Sequence, residues 1–385
     1  MQETLLKQEQ STGAHAKTAP KPHRPWWQSA LQFSITLAIG VLALEAAFNY
    51  AGVGNEEFLE PDSKLGVRHI AGKKVVWRLE GYSDEFLSSQ GLRDTEHAFA
   101  KPADTYRIAL LGDSATEGMQ VPLSDTYGKQ LEQLLGPHLN VTDNRKVEVI
   151  NFGCSSYSNG QETLQLEQQV AKYNPDLVIM MYNRGDYIEN IRDPSTMKAE
   201  PRPYFRIDDN GQLVQDDTIM LFNKKGFEPQ PVQDFLRKNS RIYGVLTHMN
   251  LALSLNELAY SKLRNSILKL LPGAKDQWKR VNPPYTIKDP WAVTQTVIAR
   301  ANADCKQLKS KFMLVCFPNI VNDQEYGRQI DSLKKQAADQ GFAYLDLTQY
   351  YKGENSKSLF LKYHFSSAGH SVAARRIADQ VYKAR

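Results

Sequence analysis

The sequence predicts an α/β domain of three layers, a parallel sheet covered by helices on both faces. A helix able to span a membrane precedes it, and a mixed insertion separates its third and fourth strands. Three observations predict this. From Tyr106 onward, apolar runs of strand length alternate with segments of helical period, the pattern of a parallel sheet. The first run, Ile108 to Leu111, stops abruptly at Gly112-Asp113-Ser114, which puts a serine where open α/β sheets place ligands. Near the N-terminus, Trp26 to Tyr50 carries a single charge, Glu45.

The elements follow in chain order. Residues 1–25 are polar, with Lys17, Lys21 and Arg24 close together, and read as a cytoplasmic tail. Residues 26–52 read as a transmembrane anchor, since about 20 apolar residues cross a bilayer core as a helix. Basic residues before the run and none close after it predict an N-in, C-out orientation. Trp26 and Trp27 suit an interface belt. The run exceeds a typical signal-peptide core, and no small-x-small cleavage site follows, so the anchor is expected to stay and everything after Gly52 to be extracytoplasmic. Residues 53–105 mix short apolar pieces with glycines and read as an irregular β lead-in. The domain proper is expected over 106–385. Its second strand is Val147–Phe152, ending at Gly153, and Gln161 to Lys172 reads as a helix. Asp176–Tyr182 is a third, fully buried strand, Lys311–Pro318 a fourth and Phe342–Leu347 a fifth. Asp323 to Gln340 is helical and stops at Gly341, and Ser366 to Ala384 closes the chain with Ser366 or Ser367 as N-cap. The insertion, 191–290, opens with a hairpin turning at Asn210-Gly211. It continues in a leucine-rich, basic stretch from Pro231 to Leu271, an amphipathic helical pair facing the core or a surface near the membrane.

Composition excludes some classes. With 385 residues, 41% hydrophobic and 23% charged, the chain is globular. A net charge of +4, without a basic stripe interleaved with aromatics, gives no case for nucleic acid. Cys154, Cys305 and Cys316 lack metal-ligand spacing. Three cysteines allow at most one disulfide, and Cys154 and Cys316 read as buried thiols. No metal or organic cofactor is implied.

The chemistry-bearing residues are a serine and a distant histidine. Ser114 is the candidate nucleophile, and a serine hydroxyl needs a neighbouring base. His364, in His364-Phe-Ser-Ser-Ala-Gly-His370, is the candidate base just before the last helix. His370 falls inside that helix, where packing or capping suits it better. Gly112-Asp113-Ser114-Ala115-Thr116-Glu117-Gly118 resembles the first block of the SGNH, or GDSL-type, hydrolases. Gln90-Gly91-Leu92-Arg93-Asp94 and Tyr106-Arg107-Ile108 are similar to the segment leading into that block in a membrane-anchored bacterial branch. The resemblance covers roughly Asp62 to Arg385 and implies a flavodoxin-like SGNH architecture. It also implies an oxyanion hole from the Ser114 N–H, from Gly153 in Asn151-Phe152-Gly153, and from an asparagine after the third strand. That third block departs from the family: in Asn183-Arg184-Gly185-Asp186, Gly185 stands where the asparagine belongs. Asn183 presented by a bulge, or the charge of Arg184, is expected to substitute. Arg184-Gly185-Asp186 also spells an adhesion tripeptide, read as coincidence. The fourth block departs too, because Leu361 replaces the aspartate three residues before the histidine. A backbone carbonyl, or another carboxylate such as Asp346, is then expected to orient His364, or the pair acts as a dyad.

The resemblance implies ester cleavage or acyl transfer through an acyl-Ser114 intermediate, on an O-acylated glycan or a lipid ester. The two departures keep open a catalytically inactive SGNH-fold protein that binds in a cell-envelope assembly. A membrane-surface scaffold using the inserted helices is a third reading.

Overall fold

The computed structural model describes residues 25–54, 58–136, 145–191, 202–217, 220, 231–246, 289–353 and 356–383. The chain divides into two compact units, Met1–Ala47 and Phe48–Arg385. Helix α1, Trp26–Ala51, runs across the expected anchor. Among the described residues it is the one helix long and apolar enough to cross a membrane. The expected tail lies outside the described residues except for Pro25.

The second unit opens with two antiparallel hairpins, β1 (Leu59–Asp62) with β2 (Gly66–His69), and β3 (Lys74–Trp77) with β4 (Ser83–Phe86). Both hairpins fall within the segment read as an irregular β lead-in, and each is a regular antiparallel pair. A five-stranded parallel sheet follows, made of β5 (Thr105–Leu111), β6 (Lys146–Asn151), β7 (Leu177–Tyr182), β10 (Lys311–Cys316) and β11 (Ala343–Asp346). Its order is β11-β10-β7-β5-β6, with every neighbour parallel. Counted along the sheet's own strands this is 2-1-3-4-5, the flavodoxin-like winding, whose switch point lies beyond the carboxyl ends of the first and third strands. Those strands are β5 and β7.

Period-2 alternation sorts the side chains to two cores. On β7, Val178, Met180 and Tyr182 join Ala109, Leu111, Ile298, Leu333 and Ala337 on one face. Leu177, Ile179 and Met181 join Ile108, Leu110, Leu131, Phe365 and Ile377 on the other. All six β7 residues are buried, which is why this strand reads as a continuous apolar run. The short helix α2 (Ser114–Glu117) follows β5. Helix α3 (Tyr127–Leu135) starts on Thr126, whose side chain accepts the Lys129 N–H, and packs against the closing helix Ser367–Lys383. Helix α4 (Asn159–Gln168) packs against the helix Pro290–Gln307 on the opposite face. That helix is capped by Asp289 through the N–H groups of Trp291 and Ala292. The helix Gln324–Gln340 begins on Asp323 and ends at Gly341. Strand and helix ends differ from the sequence expectation by one or two residues, except that β5 starts three residues before Ile108 and that α4 stops at Gln168, a 3₁₀ turn, Val170–Tyr173, completing the predicted segment.

In the insertion, β8 (Tyr204–Ile207) pairs with β9 (Leu213–Asp216). The turn is shaped by Asp208 Oδ1, which accepts the N–H groups of Asn210 and Gln212. The helix Pro231–Asn239 has Arg237 and Lys238 in its last turn, and the buried Lys73 ammonium donates to the Arg237 carbonyl, a favourable charge at a helix C-terminus. The rest of the predicted leucine-rich stretch, from 247, lies outside the described residues.

Candidate active site

The switch point gathers side chains from three loops. Ser114 is the first residue of α2, directly after β5. Asp113 caps that turn, its Oδ1 accepting the Ala115 N–H at 2.9 Å. Asn183 follows β7. His364 lies in the loop before the closing helix, 250 positions from Ser114, and its Nε2 is 2.9 Å from Ser114 Oγ. Both side chains are partly exposed.

A carboxylate other than Asp346 completes the array. His364 Nδ1 is 2.7 Å from Glu80 Oε2. Glu80 Oε1 accepts the N–H groups of Tyr363 at 2.6 Å and of His364 at 3.1 Å. Asp346 instead accepts the Thr348 N–H, and Leu361 carries no acceptor on its side chain. Burial alone would raise the Glu80 carboxyl, but the hydrogen bonds from Tyr363 and His364 prevail and hold it below the usual range. An ionised carboxylate only accepts, so the hydrogen on His364 sits on Nδ1, and Nε2 of the neutral ring is left to accept from the Ser114 hydroxyl.

Glu80 is held by the connection between β3 and β4. Trp77 Nε1 donates to the Glu80 carbonyl at 2.9 Å. The Tyr82 N–H donates to Gln120 O at 3.0 Å, and Ser83 Oγ to Met119 O at 2.6 Å. Gly81 has φ +73°, and a Cβ there would stand 2.0 Å from Gln120 O, so only glycine admits this approach. Arg93, fully buried, ties the same lead-in to the carbonyls of Glu117 and Val121 at 3.0 and 2.6 Å. The lead-in is thus clamped onto the stretch that follows the serine. Sequence reasoning missed Glu80 because it lies 284 positions from its partner and no local pattern marks it.

The donors expected for an oxyanion fare differently. The Ser114 N–H has no acceptor among the described residues. Asn183 Nδ2 donates one hydrogen to Asp113 Oδ2 at 2.8 Å, and its backbone N–H donates to Asp186 Oδ2 at 2.6 Å. This fixes the amide beside the serine turn with a second Nδ2 hydrogen to give. Burial, with Glu162 and Asp113 nearby, pushes the Asp186 carboxyl well up. Gly185 forms the start of the short helix Asp186–Glu189, and Arg184 pairs with Asp323 at 3.0 Å rather than with the serine turn. Gly153 stands against that turn, where a Cβ would lie 2.4 Å from the Glu117 nitrogen. Its N–H, however, is given to Asn151 Oδ1 at 2.9 Å, so it is not the free donor the sequence suggests. Asn151 in turn donates to Thr116 O, and this small ring of bonds consumes the group.

His370 takes a different course from His364. Its Nδ1 accepts the Tyr127 N–H at 3.1 Å, and its ring stacks on Tyr127. Burial, then the Arg93 charge, pushes it down to about 3, so it packs and caps as a neutral ring. The three cysteines are all buried and free.

No family model and no curated protein sequence matches the chain. Among solved structures, TesA aligns at 11% identity over 72% of this chain and 97% of that one, with a TM-score of 0.39. A GDSL-like lipase from Bacteroides thetaiotaomicron aligns at 13% identity over 75% and 93%, TM-score 0.36. A catalytic mutant of Axe2, an acetylxylan esterase from Geobacillus stearothermophilus, aligns at 13% over 72% and 94%, TM-score 0.37. Likenesses this low carry no residue roles across.

Proposed function

We propose that the chain is a serine ester hydrolase or acyltransferase of GDSL type, anchored by α1 with its sheet domain outside the cytoplasm. The observation that carries this reading is the Glu80–His364–Ser114 array, with both links at hydrogen-bond length. Such geometry lets the imidazole take the Ser114 proton as Oγ attacks an ester carbonyl. Glu80 holds the ring in the required tautomer and balances the imidazolium that forms. The developing oxyanion is met by the Ser114 N–H and the second Nδ2 hydrogen of Asn183. His364 then hands its proton to the leaving alcohol, which leaves an acyl ester on Ser114. Water resolves it in a hydrolase, an acceptor hydroxyl in a transferase. The missing aspartate at Leu361 favours an inactive binding protein only while no other carboxylate serves, and Glu80 removes that ground.

The substrate class is an acylated glycan or a lipid ester. It is supported by a partly exposed serine and by the exposed side chains of Tyr82, Leu361 and Tyr363, each within three residues of Glu80 or His364 in sequence. The test is release of nitrophenol from nitrophenyl acetate by the full chain in detergent, with labelling by a serine-directed phosphonate. Ser114→Ala is expected to lower kcat by about 10⁶-fold and to abolish labelling. Equal rates for both proteins would make the array a relic and the protein a binder.

A further inference from the structure

We propose that His69, Glu117 and Cys154 form a binding site for one divalent cation of the zinc type, beneath the turn that carries Ser114. His69 ends β2, Glu117 ends α2, and Cys154 follows β6. Their ligand atoms all lie within 4.8 Å of one another, and all three residues are buried; it is the one such cluster among the described residues. Imidazole nitrogen, thiolate sulfur and carboxylate oxygen are the donors Zn²⁺ takes. The cysteine spacing gives no hint of it, because the three come together only through the fold.

Two observations beyond the cluster point to a cation. The first is the surrounding support. His69 Nδ1 donates to the Gly91 carbonyl at 2.9 Å, so Nε2 is the ring atom that faces the cluster. Metal-bound histidines are almost always held this way, through the other ring nitrogen. Ser155 Oγ likewise donates to the second oxygen of Glu117, as outer partners of ligating carboxylates do. The second is a route. A cavity of about 380 Å³ is lined by His69, Cys154, Tyr157 and Gln165. Gln165 is 4% exposed, and its Oε1 has no partner among the described residues. A buried acceptor without a partner therefore belongs to a residue that lines the cavity beside His69 and Cys154.

Charge balances. Without a cation, His69 Nε2 and Glu117 Oε1, 2.5 Å apart, share one proton, and the thiol keeps its own, so the cluster is neutral. Binding of one divalent ion releases both protons to solvent and leaves one thiolate, one carboxylate and one neutral imidazole, again neutral. Burial therefore sets no net-charge penalty against binding, which becomes pH-dependent through the released protons. With bonds of about 2.0–2.3 Å, the donor atoms of a tetrahedral site stand roughly 3.3–3.8 Å apart. Binding therefore parts the His69–Glu117 pair by about 1 Å. Because Glu117 belongs to the same turn as Ser114, the cation pins that turn to β2 and is structural, with no part in the ester chemistry.

The experiment uses the full chain in detergent, stripped with a chelator and titrated with CoCl₂ and ZnCl₂. One equivalent of Co²⁺ is expected to give a thiolate-to-metal absorption in the near ultraviolet, displaced by Zn²⁺, and Zn²⁺ is expected to raise Tm. Cys154→Ala abolishes the absorption and the Tm shift. His69→Gln weakens binding by more than about 100-fold, since losing even an outer partner costs 10–100-fold. Ser114→Ala retains both signals, so failure of the esterase reading leaves this one intact. Unfolding on stripping that Zn²⁺ reverses supports the site. A stripped wild type that melts cooperatively and takes up no Co²⁺ overturns it, as does Cys154→Ala with an unchanged Co²⁺ spectrum.

Discussion

The proposed site draws on two regions built by different means. Ser114, Asn183 and His364 stand at the end of β5, the end of β7 and the start of the closing helix, all set by the winding of the parallel sheet. Glu80 rides on a four-residue-strand hairpin, β3–β4, which is tied to the site by the Tyr82 N–H bonded to Gln120 O and the Ser83 hydroxyl bonded to Met119 O. The sheet places residues by topology, and a family of sequences sharing that topology shares their positions. The hairpin places its residue by docking, and docking leaves the acid free to come from elsewhere than the usual loop. The histidine thus keeps a carboxylate partner although Leu361, three residues before it, offers none.

That contrast can be broken, largest effect first. Glu80→Gln preserves shape but removes the acceptor pattern that sets the tautomer; kcat on nitrophenyl acetate is expected to fall by about 10⁴-fold. A loss under tenfold would mean that the sheet-borne pair works as a dyad and the hairpin only packs. Asn183→Ala removes a sheet-borne donor and is expected to cost about 10²–10³ in kcat with KM little changed. An unchanged kcat would shift the oxyanion to other donors. Gly81→Ala leaves every reacting group in place and disturbs only the docking. It is expected to lower unfolding free energy by about 1–3 kcal/mol and to lower kcat with it, measured by urea melts beside turnover. Full activity in that variant would show the hairpin to be more yielding than its contact with Gln120 implies.

An effect on stability alone sharpens the comparison inside one segment, where His364 faces Glu80 and His370 faces the core. His370 stays neutral when folded down to about pH 3, whereas the unfolded chain protonates it near 6.5. The unfolded state thus binds more protons between those values, and stability from this group rises with pH there, by about 1.4 kcal/mol per unit. His370→Gln, which keeps an acceptor for the Tyr127 N–H, is expected to flatten the urea-midpoint difference between pH 4 and pH 6 relative to wild type. An identical slope in both proteins would place the acid sensitivity elsewhere.

The difference in legibility follows the same line. Ile108–Leu111 and Leu177–Tyr182 announce themselves because strands buried on both faces are unbroken apolar runs, and Ser114 and Asn183 follow from where those runs stop. His364 is legible from its place before the last amphipathic helix. Glu80 is not, since a single carboxylate among short strands carries no periodicity and its partner is met only after folding. The fate of the Gly153 N–H was equally hidden: glycine after β6 was readable, but its capture by Asn151 depends on a side-chain rotamer. Asn183 is the intermediate case, its position readable and its anchoring by Asp113 visible only in three dimensions.

The clamped lead-in has a practical corollary. A protease cut between Arg93 and Thr105 would sever the acid from the nucleophile covalently while leaving both pieces held by Arg93, Ser83 and Gly81. Such a nicked enzyme would work as a two-part lock. Its turnover would vanish on dilution or mild denaturant that frees the N-terminal fragment, and return when that fragment is added back.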